Sequence, residues 1–125
     1  MKTNIAKNVK AGFSLVEMLV VIAVIGIIAA IAVPTIGNIT KQANISKAKR
    51  NAQNLASVYS SAVAAGASFA SSDEDGIVGE LVTGVYGGAE GGFDSTLFRV
   101  PNMSTDEQTD AKGYLEYADG QLQYQ

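Results

Sequence analysis

Cysteine, histidine and tryptophan are absent from the 125 residues, and proline occurs only twice. Disulfide staples, thiolate nucleophiles, imidazole bases and the usual zinc ligands are therefore excluded together. Aspartate and glutamate total 12, but they are scattered along loops and the tail, with no pairing suited to acid/base work. The sequence points away from an enzyme and implies neither a cofactor nor a metal. Asp73, Glu74 and Asp75 are the one candidate for calcium, and they lack the alternating ligand spacing of a calcium loop.

The formal charge of -3 conceals an asymmetry. Lys2, Lys7 and Lys10 share an N-terminal stretch without any acidic residue, and without residues 1–12 the charge falls to -6. Net charge thus gives no reason to expect nucleic acid as a partner. Lys47, Lys49 and Arg50 form a local basic cluster. At about 100° per residue they point in different directions on a helix, as a solvated segment or a contact for acidic neighbours would.

Residues 13–33 read FSLVEMLVVIAVIGIIAAIAV, apolar but for Ser14, Glu17 and the small residues. As a helix this run spans about 30 Å, the thickness of a hydrocarbon core. The lysines before it hold its start on the cytoplasmic side, with everything after Pro34 outside. An ordinary secretory signal is the competing reading, with Ala30, Ile31 and Ala32 as a small-x-small cleavage site. Against it, the run exceeds the usual signal core and carries a carboxylate. A charge there costs about 2.5–3.5 kcal/mol on insertion scales, so Glu17 needs a partner.

The segment Ala11, Gly12, Phe13, Ser14, Leu15, Val16, Glu17 resembles the processing site of type IV prepilins and type II secretion pseudopilins. The resemblance covers about the first 40 residues strongly and the rest weakly. It implies a basic leader of residues 1–12, cut between Gly12 and Phe13 by a prepilin peptidase. Phe13 then becomes the methylated terminus and Glu17 the acidic residue used in filament assembly. It also implies membrane lipid, an inner-membrane assembly machinery and other copies of the subunit as partners. Gly26 and Pro34 stand where such subunits commonly carry the same residues, and the resemblance implies a segment that unwinds between them. A simple kink at Pro34 is the alternative.

Cleavage before Phe13 would create an ammonium four residues from Glu17, on the same helix face. Glu17 then has two readings. It either caps its own helix end, favoured by the dipole, or reaches the Phe13 ammonium of a neighbour.

Beyond Pro34 the apolar pattern becomes a single stripe through Ile45, Ala48, Ala52, Leu55, Tyr59, Ala62, Gly66 and Phe69. A continuous helix over residues 13–70 is predicted, about 85 Å long and too long to be covered by its own domain. Ser72 is expected to cap a second helix that ends near Gly84. The five glycines of residues 84–92 read as a surface loop. Residues 97–100 read as a strand, and Ser104 with Glu107 as a capping box for a short helix ending by Gly113. Asp119-Gly120 is the preferred turn of a terminal hairpin, pairing Tyr117 with Leu122 and Leu115 with Tyr124.

The expected fold is α+β and type IV pilin-like, with a long N-terminal helix, short helices and an antiparallel sheet of about three strands. Residues 1–12 form the leader, 13–34 the transmembrane and assembly helix, 35–70 its periplasmic continuation and 71–125 the head. The expected function is a structural subunit of a type IV pilus or a type II secretion pseudopilus. It passes once through the bacterial inner membrane before joining an extracellular or periplasmic filament. The alternative is a secreted or membrane-tethered periplasmic binding module. With no cysteine, a disulfide-closed C-terminal loop of the kind many major pilins carry cannot form. N-terminal sequencing of the mature protein separates the two readings: a methylated Phe13 is expected, whereas a start at Val33 identifies an ordinary secretory signal.

Overall fold

The computed structural model describes residues 12–125. The leader lysines Lys2, Lys7 and Lys10 lie outside the described residues. The order of elements is α1 (Leu15–Ala64), α2 (Glu74–Thr83), β1 (Val85–Tyr86), β2 (Leu97–Phe98), α3 (Thr105–Lys112), β3 (Leu115–Ala118) and β4 (Gln121–Tyr124). The fold is α+β, a long apolar N-terminal helix with short helices and small antiparallel sheets. The chain divides after Thr40 into two units, the second being Lys41–Gln125.

In the second unit α1 supplies the stripe around which the rest folds. Ala48, Ala52, Leu55, Tyr59 and Ala62 are its buried residues, spaced three and four apart as one helical face requires. Against them pack Ile77, Val78 and Leu81 from α2, Ala111 from α3, Leu115 from β3 and Leu122 from β4, with Val100 and Met103 between. Leu55, Ile77, Leu81 and Val78 are the largest fully buried side chains, each stabilising by about 1.5–3 kcal/mol. Tyr59 ties the hairpin to the helix. Its ring lies 4.8 Å from Phe69 and edge-on to Tyr117 at 6.2 Å, and its hydroxyl donates to the Gly120 carbonyl at 3.0 Å. Desolvation, with the Tyr117 hydroxyl beside it, pushes the Tyr59 phenol up to about 12.

The helix ends earlier than its stripe suggests. Gly66 adopts φ +77°, its amide donates to the Val63 carbonyl, and the Ala67 amide donates to Ala62. These paired bonds are a Schellman cap, which a glycine at that position favours. Helix α1 therefore stops at Ala64 rather than near residue 70. Phe69 still reaches the core, but from the following loop.

The cap of α2 also differs from expectation. Asp73, not Ser72, is the N-cap, and it makes no side-chain cap bond. Ordering comes instead from Glu80, whose carboxylate accepts the amides of Ala70 and Ser71 at 3.0 and 2.8 Å. The expected sheet of about three strands is two separate two-stranded sheets, β1 with β2 and β3 with β4. Residues 97–100 contribute only Leu97 and Phe98 to a ladder, because the Val100 amide turns to the Leu81 carbonyl at 2.9 Å. The glycine loop is closely packed. A Cβ on Gly88 would lie 2.4 Å from the Gly66 carbonyl oxygen, and one on Gly87 2.5 Å from that of Phe93.

Two local readings hold in full. Ser104 and Glu107 form a reciprocal capping box. Strands β3 and β4 pair Leu115 with Tyr124 and Tyr117 with Leu122 across Asp119 and Gly120, whose φ values of 53° and 74° suit a two-residue hairpin turn.

Glu80 gives the second unit an acid-sensitive tie. Partial desolvation raises its carboxyl, but the Ser71 side chain and the amides of Ala70 and Ser71 outweigh that and hold it below its ordinary 4.5. A depressed carboxyl stabilises the fold above its unfolded value and loses that contribution as pH falls through the folded one. Glu80→Gln is therefore expected to lower Tm at neutral pH. The gap to the parent should narrow as pH is taken below 4.5, measured by thermal melts of full-length protein in detergent.

Candidate functional site

The first unit owes its helix to an unbroken run of residues with no reason to stop. Gly12 and Phe13 precede it in non-helical backbone, both exposed, Phe13 by 82 %. At its start the Ser14 amide donates to Glu17 Oε2 at 3.1 Å, and the Met18 amide donates to the Ser14 carbonyl at 3.2 Å. Ser14 and Glu17 thus have the spacing of a capping box, of which the Glu17 arm is made. The serine–glutamate spacing signals this cap in the sequence, yet it is easily passed over when Glu17 is considered only against the Phe13 amine. Glu17 thus satisfies a donor at its own helix end.

Every face of this part of α1 is apolar. Sixteen large hydrophobic side chains from Phe13 to Ile39 stand between 44 and 82 % exposed. The most apolar 18-residue window has a mean hydropathy of 2.9, and none of it is buried within the chain. Full burial of one such side chain is worth about 1.5–3 kcal/mol. At their partial exposure the sixteen leave about 15–30 kcal/mol of hydrophobic free energy unrealised among the described residues. A helix apolar all round belongs in a membrane or in the interior of an assembly.

Gly26 and Pro34 both lie inside α1, which continues through them. Pro34 has no amide to offer the Ala30 carbonyl. Beside and beyond it, the hydroxyls of Thr35 and Thr40 donate to the Ile31 and Ile36 carbonyls at 3.2 and 3.0 Å, bonds of a kind that bend helices slightly. A Cβ on Gly26 would meet nothing within 4 Å. Among the described residues no packing therefore requires glycine there.

Among the described residues no group of three His, Cys, Asp or Glu could hold a metal ion. Asp75 is engaged by Lys112. In the second unit a cleft of about 670 Å³ opens between α1 and the end of α3, lined among others by Lys41, Ile45, Asp110 and Tyr114.

A family profile described as "Prokaryotic N-terminal methylation motif" matches residues 7–33. A curated relative, a fimbrial protein of Moraxella nonliquefaciens, is 38 % identical over 85 residues, which are 66 % of this chain and 54 % of that protein. The chain thus spans about half the length of the curated relative it matches. No solved structure matches. The resemblance to type IV pilins drawn from residues 11–17 is borne out by these two findings.

Gly26→Ala is expected to stiffen α1, since alanine favours a helix interior by about 1 kcal/mol over glycine. Amide exchange around residue 26 in detergent micelles should slow by roughly fivefold.

Proposed function

We propose that this chain, a type IV pilin-like subunit carrying the N-terminal methylation motif, is the precursor of a filament protein that polymerises through α1. The observation that carries this reading is the uncovered apolar surface of residues 13–39, with one carboxylate at its beginning. Lipid of the bacterial inner membrane covers that surface first, with the second unit outside the cytoplasm. Neighbouring copies of α1 cover it afterwards, when an inner-membrane assembly machinery draws subunits together. The fimbrial relative favours a pilus over a secretion pseudopilus. The role is that of a structural subunit rather than an enzyme.

The peptide between Gly12 and Phe13 is the site of cleavage by prepilin peptidase, and it lies where a protease needs it, ahead of the helix and exposed. Cleavage makes Phe13 the methylated terminus and sets an ammonium beside Ser14, whose amide Glu17 holds. The Glu17 carboxylate then has two cationic choices, the ammonium of its own chain or that of the next copy. In lipid either is worth more than in water, because a lone charge there costs about 2.5–3.5 kcal/mol. A transfer from the first to the second as a subunit joins sets the axial register. Between Gly26 and Pro34 the helix is weakest, and there the subunit unwinds and extends within the filament.

Glu17→Val tests the assignment. Membrane insertion and leader removal are expected to continue, insertion being eased by loss of the charge, while sheared filaments disappear from electron micrographs. A normal filament yield from that variant would show that Glu17 serves only as a cap.

A further inference from the structure

Charge in the second unit is segregated along the chain. Residues 41–50 of α1 hold four cations and no acid, whereas residues 65–125 hold eleven acids and two cations. Of the four cations, Lys47 is paired with Glu107, and Lys49 sits 5.5 Å over the Tyr114 ring. Lys41 and Arg50 have no ion pair among the described residues, and Arg50 is exposed.

The cleft between α1 and α3 holds one carboxylate, Asp110, and one cation, Lys41, with Lys47 in the adjoining pocket engaged by Glu107. Ile45, Ala48 and Tyr114 give it apolar walls, Asn44 a polar one, and Asp110 a carboxylate with no ion pair among the described residues. Asp110 stands four residues after Asp106 on α3. Like charges at that spacing repel unless a cation sits between them. Apolar walls with a carboxylate at the rim suit a long side chain that carries its cation at the tip. Lys41 lines the same cleft but makes no ion pair with Asp110.

We propose that Arg50 of one copy of this chain enters the cleft of the next copy and pairs with Asp110 there. Arg50 lies about 140–240° around α1 from Lys41, Asn44, Ile45 and Ala48, at 100° per residue. The donating and receiving surfaces are thus on opposite sides of one helix. A contact between unlike surfaces does not close on itself after two copies, and it propagates as a filament. Arginine suits the receiving site because its planar fork can address one carboxylate with two bonds, or Asp106 and Asp110 together. The pair sets lateral spacing between second units and makes cohesion salt-dependent.

The inference rests on the polymer reading above, and the experiment separates the two. In cells producing the full chain, Arg50→Glu and Asp110→Arg are each expected to cut sheared-filament yield by more than about tenfold. The two together should restore it. The milder Arg50→Gln and Asp110→Asn, which remove charge without reversing it, should lower yield in the same order, and circular dichroism of each variant should match the parent. Because the chain has no cysteine, Arg50→Cys with Asp110→Cys reports contact directly. A short bismaleimide should give a ladder of dimers and higher species from the double variant and none from either single one. Normal assembly of both reversals, or filaments without a ladder, overturns the inference and leaves the filament reading standing. Rescue of Asp110→Arg by Lys41→Glu rather than Arg50→Glu assigns the carboxylate to its own chain and also overturns it. Absence of filaments from the parent removes both.

Discussion

The constraint on which this molecule depends is an apolar surface that the chain does not cover for itself. From Phe13 to Ile39 the large side chains of α1 face outward in every direction. Hiding them would release about 15–30 kcal/mol of gross hydrophobic free energy. The second unit has its own closed core around Leu55, Ile77 and Leu81. The surface must be covered from outside the chain. A membrane and a bundle of like helices both offer an apolar medium, and passage from one to the other needs little change in apolar burial. The distinction between them rests on polar groups, and among residues 13–33 Glu17 is the only charged side chain.

The second unit shows how the same helix serves a different purpose once its pattern changes. After Pro34 the apolar positions contract to one stripe, and around that stripe the short elements gather. Without cysteine the hairpin is held by packing and by a few directed bonds. Leu115 and Leu122 sink into the core, and the Tyr59 hydroxyl fastens the turn at Gly120. Glu107 acts twice, closing the capping box of α3 and pairing with Lys47 on α1. That pair fixes α3 beside the helix and so defines one wall of the cleft near Asp110. Helix, cap and cleft form one connected arrangement in which a single carboxylate couples local order to surface shape.

What could be seen in the sequence follows the range of the interactions involved. The Asp119-Gly120 hairpin and the Ser104–Glu107 box are decided within four residues, and both were legible to the register. The α1 stripe was legible too, because periodicity survives over many turns. Its end was not, since Gly66 sits in register with the apolar positions and reads as a small core residue. Only the left-handed backbone and the Ala67 bond to Ala62 identify it as a cap. Glu80 holding Ala70 and Ser71 spans about ten residues with no local signature. The two-residue strand β1 carries too little pattern to be seen at all. At the N-terminus the motif in residues 11–17 was plain, while the bond from Ser14 to Glu17 lay hidden behind the more prominent pairing with the terminal amine.

The places where this chain breaks the habits of a soluble protein are also where its function is written. Exposed isoleucines, a carboxylate within an apolar run and a proline within a helix are each unfavourable in a chain that stands alone. In the proposed filament each would be accommodated. Apolar faces would find cover there, Glu17 would meet an ammonium group, and the helix between Gly26 and Pro34 could adapt to its neighbours. A sequence selected for the stability of the isolated fold would have removed such features one by one, since most cost stability and add nothing to its core. Their presence together, beside a second unit whose local rules are well satisfied, is what supports the proposed assembly between chains.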